Sequence, residues 1–175
     1  ENAVLAGWSF GCLTVWEYVK QFGFERIRSL VLIDMSPKSL SVNDGDWTEG
    51  PLDEIGAIYN TYLRNPQGHR EFITSYITQV MVQRKLREEE LAWLVGESLK
   101  TPCYIAANLF ASGMFSDYRE QARIASETVP VLNVVAEHWA DTAKAFIEKT
   151  APRSKVAVLG GHMMFWEHSE KFNEI

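Results

Sequence analysis

The apolar positions of the chain form two kinds of pattern, which together predict alternating strands and helices. Four short apolar runs have the length of buried strands: residues 3–6, 29–33, 130–136 and 155–159. Apolar residues at helical spacing predict helices between and after these runs: residues 12–22, 141–149 and from 165 onward. Gly23 is placed to end the first helix. The alternation predicts an α/β fold, with a mostly parallel sheet flanked by helices.

A long helical stretch interrupts this alternation. From Pro37 to about Gly50 the chain is rich in Ser, Asn, Asp and Gly, as expected for a loop that leaves the sheet. From about Pro51 to Tyr118 the apolar spacing is helical, with breaks at Asn65-Pro66-Gln67-Gly68 and Thr101-Pro102. The patterns therefore predict three segments: core sheet at 1–44, an inserted helical cap at 45–126, and core sheet again at 127–175.

Ser9 lies at the turn between the first predicted strand and the first predicted helix, within Gly7-Trp8-Ser9-Phe10-Gly11. A serine on such a tight turn projects clear of the backbone, and the glycines on either side are expected to remove Cβ atoms that would collide. A serine hydroxyl is a good nucleophile only when a base takes its proton and a third group orients that base. The pattern predicts that Ser9 is a nucleophile presented to a substrate.

The base predicted for Ser9 is His162. It follows the last strand after Gly160-Gly161, so it lies at the carboxyl edge of the sheet, where Ser9 and Asp34 also lie and where such sheets bind ligands. The other histidines are assigned elsewhere: His138 just past a strand as the alternative base, and His69 in a polar cap turn and His168 in the final helix as surface residues.

The composition and charge of the chain limit the kinds of molecule that it is expected to bind. The chain of 175 residues has a net charge of −6, and its basic residues cluster only at Arg84-Lys85-Leu86-Arg87, which argues against a nucleic-acid surface. No apolar run approaches the ~20 residues of a membrane span. We expect a cytoplasmic protein with a small-molecule substrate and no cofactor or metal. A homodimer is the alternative to a monomer.

Four stretches resemble the α/β-hydrolase family across the whole chain, and the haloperoxidase-like esterase branch is the nearest likeness. They are Ala6–Gly11 as the elbow, Leu30–Pro37 as the next strand, Asp117–Arg119 with Val129–Leu132 as the return from the cap, and Gly161–His168 as the histidine loop. The resemblance implies that the N–H of Phe10 is one donor of the oxyanion hole. It also implies that strands preceding the elbow, with a loop carrying the second donor, are missing here. The free segment is then expected to be unstable or inactive.

The acid of the triad departs from the usual pattern of that family. The family commonly places it after the strand at 131–136, in a Gly-Glu-His-Asp-like stretch, but Trp139 occupies that position here. Members with an acid at the position of Asp34 reach the same imidazole from the neighbouring strand, and adjacent parallel strands lie ~4.8 Å apart. Asp34 is the preferred acid. Asp141, near a helix start, and Glu137 remain alternatives.

Together these features predict a serine hydrolase that cleaves a small, largely apolar ester, lactone or thioester through an acyl-enzyme. Three large apolar side chains beside the site residues are expected to line the substrate pocket: Trp8, Trp139 and Met163. Two other functions remain open. One is cofactor-free dioxygenation of a quinolone-like ring, and the other is binding of a small ligand by a non-catalytic receptor of the same fold.

Overall fold

The computed structural model describes residues 2–43 and 46–175. Within these residues, four parallel strands form one sheet in which each strand pairs with the next along the chain. They are β1 (Ala3–Trp8), β2 (Ile27–Ile33), β3 (Val131–Val135) and β4 (Lys155–Val158). The four strands predicted from the apolar runs are confirmed, with ends that shift by no more than two residues.

Helices connect and follow these strands. In chain order they are α1 (Phe10–Phe22), α2 (Leu52–Ile58), α3 (Pro66–Tyr76), α4 (Glu88–Ser98), α5 (Cys103–Met114), α6 (Arg119–Thr128), α7 (Ala140–Thr150), α8 (Met164–Glu167) and α9 (Ser169–Glu174). Shorter helical turns adjoin three of them: π-helical turns at Tyr59–Leu63 and Ile77–Met81, and a 3₁₀ turn at Glu137–Trp139. In the described part of the chain, no helix is both long and apolar enough to cross a membrane.

The core lies on both faces of the sheet. Successive side chains of a strand point to opposite faces. Leu30 and Leu32 of β2 accordingly pack in the cluster that contains buried residues of α1 and α6. Ile33, with Val31 beside it, packs in a second cluster that includes side chains of α8 and α9. Because both faces of β2 are covered, its sequence is a continuous apolar run rather than an alternating one.

Helices α2 to α5 form an insertion between β2 and β3. Its two ends meet, because the N–H of Tyr118 donates to the carbonyl of Pro37 at 2.8 Å. The sequence prediction ended this insertion at residue 126, which would include most of α6. Helix α6 instead packs beside the sheet against α1 and α7, with Ala125 fully buried in the α1 cluster. The predicted start of the cap, between residues 44 and 45, lies outside the described residues.

Candidate active site

Ser9 lies between the last residue of β1 and the first residue of α1. Its φ is 53° and its ψ is −128°, a conformation that costs a non-glycine residue on the order of 1–3 kcal/mol. Gly7 allows this turn, since a Cβ there would lie 2.6 Å from the backbone carbon and oxygen of Gly11. A Cβ on Gly11 would meet no heavy atom of the described residues within 4 Å. The expected steric role therefore holds for Gly7 and is wrong for Gly11.

The carboxylate of Asp34 contacts the imidazole of His162. Asp34 follows the last residue of β2, and its Oδ2 lies 2.7 Å from Nδ1 of His162. Its Oδ1 accepts a hydrogen bond from the N–H of Ala136 at 2.8 Å. Both side chains are buried, with residue exposures of 4% and 6%. The carboxylate thus has both oxygens engaged and holds the imidazole ring in one orientation.

The alternative acids lie elsewhere. The carboxylate of Glu137 accepts a hydrogen bond from the N–H of Gly160 at 3.3 Å, and the backbone N–H of Glu137 donates to the Gly160 carbonyl at 2.8 Å. Glu137 therefore braces the loop that leads to His162. Asp141 is exposed in the first turn of α7, where a negative charge interacts favourably with the helix dipole.

The loop that carries His162 is held by neighbours on two sides. The indole N–H of Trp8 donates to the carbonyl of His162 at 2.8 Å, and the indole and imidazole ring centres are 5.2 Å apart. Gly160 has a φ of 49°, and a Cβ on it would collide with the ring of His168. His168 is exposed, as predicted, and so is His138.

Tyr76, at the end of α3, contacts the other nitrogen of His162. Its hydroxyl lies 3.3 Å from Nε2. Because Nδ1 faces a carboxylate, we assign the ring proton to Nδ1, so the Tyr76 hydroxyl donates to Nε2. Burial raises the pKa of Tyr76, the charges of Glu49 and Asp34 raise it further, and the nearby Ser9 hydroxyl opposes the rise. The Tyr76 hydroxyl thus contacts His162 directly and also lies near the Ser9 hydroxyl.

Hydrogen bonds join the cap to the loop that carries His162. The N–H of Met163 donates to the carbonyl of Met81 at 3.0 Å. The carboxylate of Glu167 accepts hydrogen bonds from the N–H of Gln83 at 3.1 Å and of Arg84 at 3.2 Å. Met81 ends the helical turn that continues α3, and Gln83 and Arg84 follow it directly. These bonds therefore help to place Tyr76, at the end of α3, over His162.

A cavity of about 610 Å³ opens above Ser9, between the edge of the sheet and the cap. Its walls are mostly apolar. Helix α3 contributes a stripe at positions i, i+3, i+4 and i+7: His69, Phe72, Ile73 and Tyr76. Phe10 of α1 and Phe110 of α5 also line the cavity, and their rings stack 6.3 Å apart. The space suits a small, largely apolar molecule.

Two sequence predictions about this cavity are wrong. His69, expected at the surface, is only 3% exposed and lines the cavity, and burial lowers its pKa. The three predicted pocket residues do not line it. Trp8 packs on His162, Trp139 packs with β3, β4 and α7, and Met163 packs beneath the cap beside Ile77. A residue next to a site residue in sequence commonly points away from it, as neighbours along a strand do.

No protein-family model and no curated protein sequence matches the chain. Among solved structures, the chain is similar to a bromoperoxidase from Bacillus anthracis, with 18% identity and a TM-score of 0.82 over 99% of this chain and 65% of that one. It is also similar to an esterase from Exiguobacterium antarcticum, with 21% identity and a TM-score of 0.77 over 99% of this chain and 64% of that one. The enol-lactonase from Burkholderia xenovorans LB400 matches with 17% identity and a TM-score of 0.68, over 99% of this chain and 63% of that one.

The chain therefore has the α/β-hydrolase fold, which confirms the fold class and the resemblance identified from its sequence. It spans somewhat less than two thirds of the length of the structures that it matches.

Proposed function

We propose that the protein is a serine hydrolase that cleaves a small, largely apolar ester, lactone or thioester through an acyl-enzyme. One observation carries the proposal: the buried Asp34–His162 pair, joined at 2.7 Å, lies at the sheet edge that also presents Ser9 to a mostly apolar cavity. An esterase and an enol-lactonase among the structures of the same fold are consistent with it.

In the first half of the reaction, Oγ of Ser9 attacks the substrate carbonyl carbon while its proton moves to Nε2 of His162. Asp34 stabilises the imidazolium that forms. The N–H of Phe10 donates to the oxyanion, because Phe10 is the first residue of α1 and its N–H has no acceptor within the helix. The intermediate then collapses, the leaving alcohol or thiol takes the proton from His162, and Ser9 remains acylated.

In the second half, water repeats the same steps. His162 takes a proton from the water, the hydroxide attacks the acyl carbon, and the proton returns to Oγ of Ser9 as the acid leaves. All of the proton transfers take place among side chains of this protein, the leaving group and water.

The hydroxyl of Tyr76 supports a proton path that runs through the cap. Ser9 gives its proton to the Tyr76 oxygen while Tyr76 gives its own proton to Nε2 of His162, so Tyr76 ends the step neutral. The net transfer is from Ser9 to His162. On this path, cap placement and catalytic competence are coupled.

The test is hydrolysis of p-nitrophenyl butyrate by the full-length protein, with oxygen uptake on a quinolone measured in parallel. We expect ester hydrolysis that Ser9→Ala and His162→Ala each reduce by at least about 10³-fold, with no oxygen uptake. Quinolone-dependent oxygen uptake without ester cleavage would replace the proposal with the dioxygenase function. Cleavage that persists in Ser9→Ala would remove Ser9 from the mechanism.

A further inference from the structure

The cavity above Ser9 contains one unbalanced charge. Among the described residues that line it, Glu49 is the single acid, and none is a lysine or an arginine. The cavity histidine, His69, does not supply a cation near neutral pH, because burial lowers its pKa. The described residues that line the cavity therefore offer no cationic partner for the carboxylate of Glu49.

The backbone holds Glu49 in a fixed place. Its N–H donates to the carbonyl of Ser39 at 2.8 Å, and the N–H of Ser41 donates to the carbonyl of Gly50 at 2.8 Å. Trp47, two residues earlier, is buried. Glu49 itself is exposed, and the space that it faces is the cavity. A fixed segment of backbone thus presents the carboxylate to whatever occupies the cavity.

The surrounding protein makes this carboxylate costly to ionise. Burial raises the pKa of Glu49, His162 opposes the rise, and the charge of Asp34 adds to it. These interactions also place Glu49 within electrostatic range of the Asp34–His162 pair. Because Glu49 is accessible from the cavity, a cation that enters the cavity can bind beside the carboxylate and offset the cost of its charge.

We propose that Glu49 binds a positively charged ammonium group of the substrate, so that the protein acts on esters that combine an amine or quaternary ammonium group with an apolar portion. This inference rests on the proposed ester hydrolysis. The aromatic rings of Phe10, Phe72 and Phe110 support it, because aromatic faces attract cations and also accept hydrocarbon. The carboxylate of Glu49 should also repel a substrate that itself bears a carboxylate.

The experiment compares two esters of nearly equal shape on the full-length protein: butyrylcholine and its uncharged isostere, 3,3-dimethylbutyl butyrate. The readout is the ratio of their kcat/KM values. We expect the wild type to favour the choline ester by about tenfold or more and Glu49→Gln to bring the ratio close to one. Glu54→Gln removes the same charge from an exposed position of α2 outside the cavity lining, and it should keep the wild-type ratio. A wild-type ratio of one or less, or an unchanged ratio in Glu49→Gln, overturns the inference.

A binding measurement separates this inference from the proposed hydrolysis. Calorimetry with choline alone requires no catalysis, so it is run on the wild type, Ser9→Ala and Glu49→Gln. Choline binding that is kept in Ser9→Ala and lost in Glu49→Gln supports the ammonium site, even if no ester is cleaved. Equal binding by the wild type and Glu49→Gln, or no binding by the wild type, overturns it.

Discussion

The carboxylate of Asp34 and the imidazole of His162 meet at 2.7 Å although β3 separates their strands in the sheet. Asp34 ends β2, and His162 follows β4 on a loop. The N–H of Ala136, directly after β3, donates to the free oxygen of Asp34. The strand between the two residues therefore helps to hold the acid in place.

This arrangement predicts which acid the reaction needs. Asp34→Asn should lower kcat by about 10⁴-fold, because the amide no longer holds the imidazole in the correct tautomer or stabilises its charge. Asp141→Asn, on the exposed first turn of α7, should change kcat less than about twofold. Ester hydrolysis kinetics measure both effects. The opposite ranking of the two variants would move the role of the acid to Asp141.

The contact between Tyr76 and His162 predicts the effect of removing one oxygen atom. Tyr76→Phe keeps the ring packing but interrupts the path from Ser9 to Nε2, so kcat should fall by about 10-fold to 10²-fold with little change in KM. Steady-state kinetics on one ester are sufficient. A variant as fast as the wild type, or faster, would mean that the hydroxyl only occupies Nε2 in the absence of substrate.

The two glycines of the elbow predict opposite effects of the same substitution. Gly7→Ala places a Cβ 2.6 Å from the backbone of Gly11, so it should lower the free energy of unfolding by about 1–3 kcal/mol or more. Gly11→Ala meets open space in the first turn of α1 and should be neutral or stabilising by up to about 1 kcal/mol. Chemical denaturation of the full-length variants measures both. Equal destabilisation by the two would contradict the packing described for the elbow.

The raised pKa of Glu49 predicts how stability depends on pH. Because the folded protein holds this proton more tightly than the unfolded chain does, the charged carboxylate destabilises the fold above the ordinary glutamate pKa of about 4.3. Glu49→Gln should therefore raise Tm near pH 7, and the gain should vanish below about pH 4. Glu54→Gln should give no such gain. A Glu49→Gln variant that is less stable than the wild type at pH 7 would mean that the carboxylate has a stabilising partner.

The positions of Ser9, Asp34 and His162 were accessible from the sequence because each follows the carboxyl end of a buried strand. Apolar runs mark such strands strongly, and parallel strands bring their ends to one edge. His69 also carries a signal in the sequence: it lies three and four residues before Phe72 and Ile73, on the stripe that lines the cavity. The polar residues around His69 at the start of the helix favour a surface position instead, so the pattern is weak.

Glu49 and Tyr76 could not be assigned from the sequence in the same way. Glu49 follows a loop segment rich in Asn, Asp and Gly, where an acid normally faces bulk solvent, and only the packing of the cap over the sheet places it in the cavity lining. Tyr76 belongs to an apolar helical stripe, so its hydroxyl is indistinguishable from that of a packing residue. Both assignments depend on where the cap sits over the sheet edge, which local patterns do not specify.

Covalent trapping decides whether Ser9 is the nucleophile. The full-length protein is incubated with a fluorophosphonate, digested, and analysed by peptide mass spectrometry. We predict one adduct on the peptide that contains Ser9, slower to form in His162→Ala and absent in Ser9→Ala. An adduct that forms equally well in Ser9→Ala, or rapid ester turnover by a protein that no fluorophosphonate modifies, would contradict the mechanism.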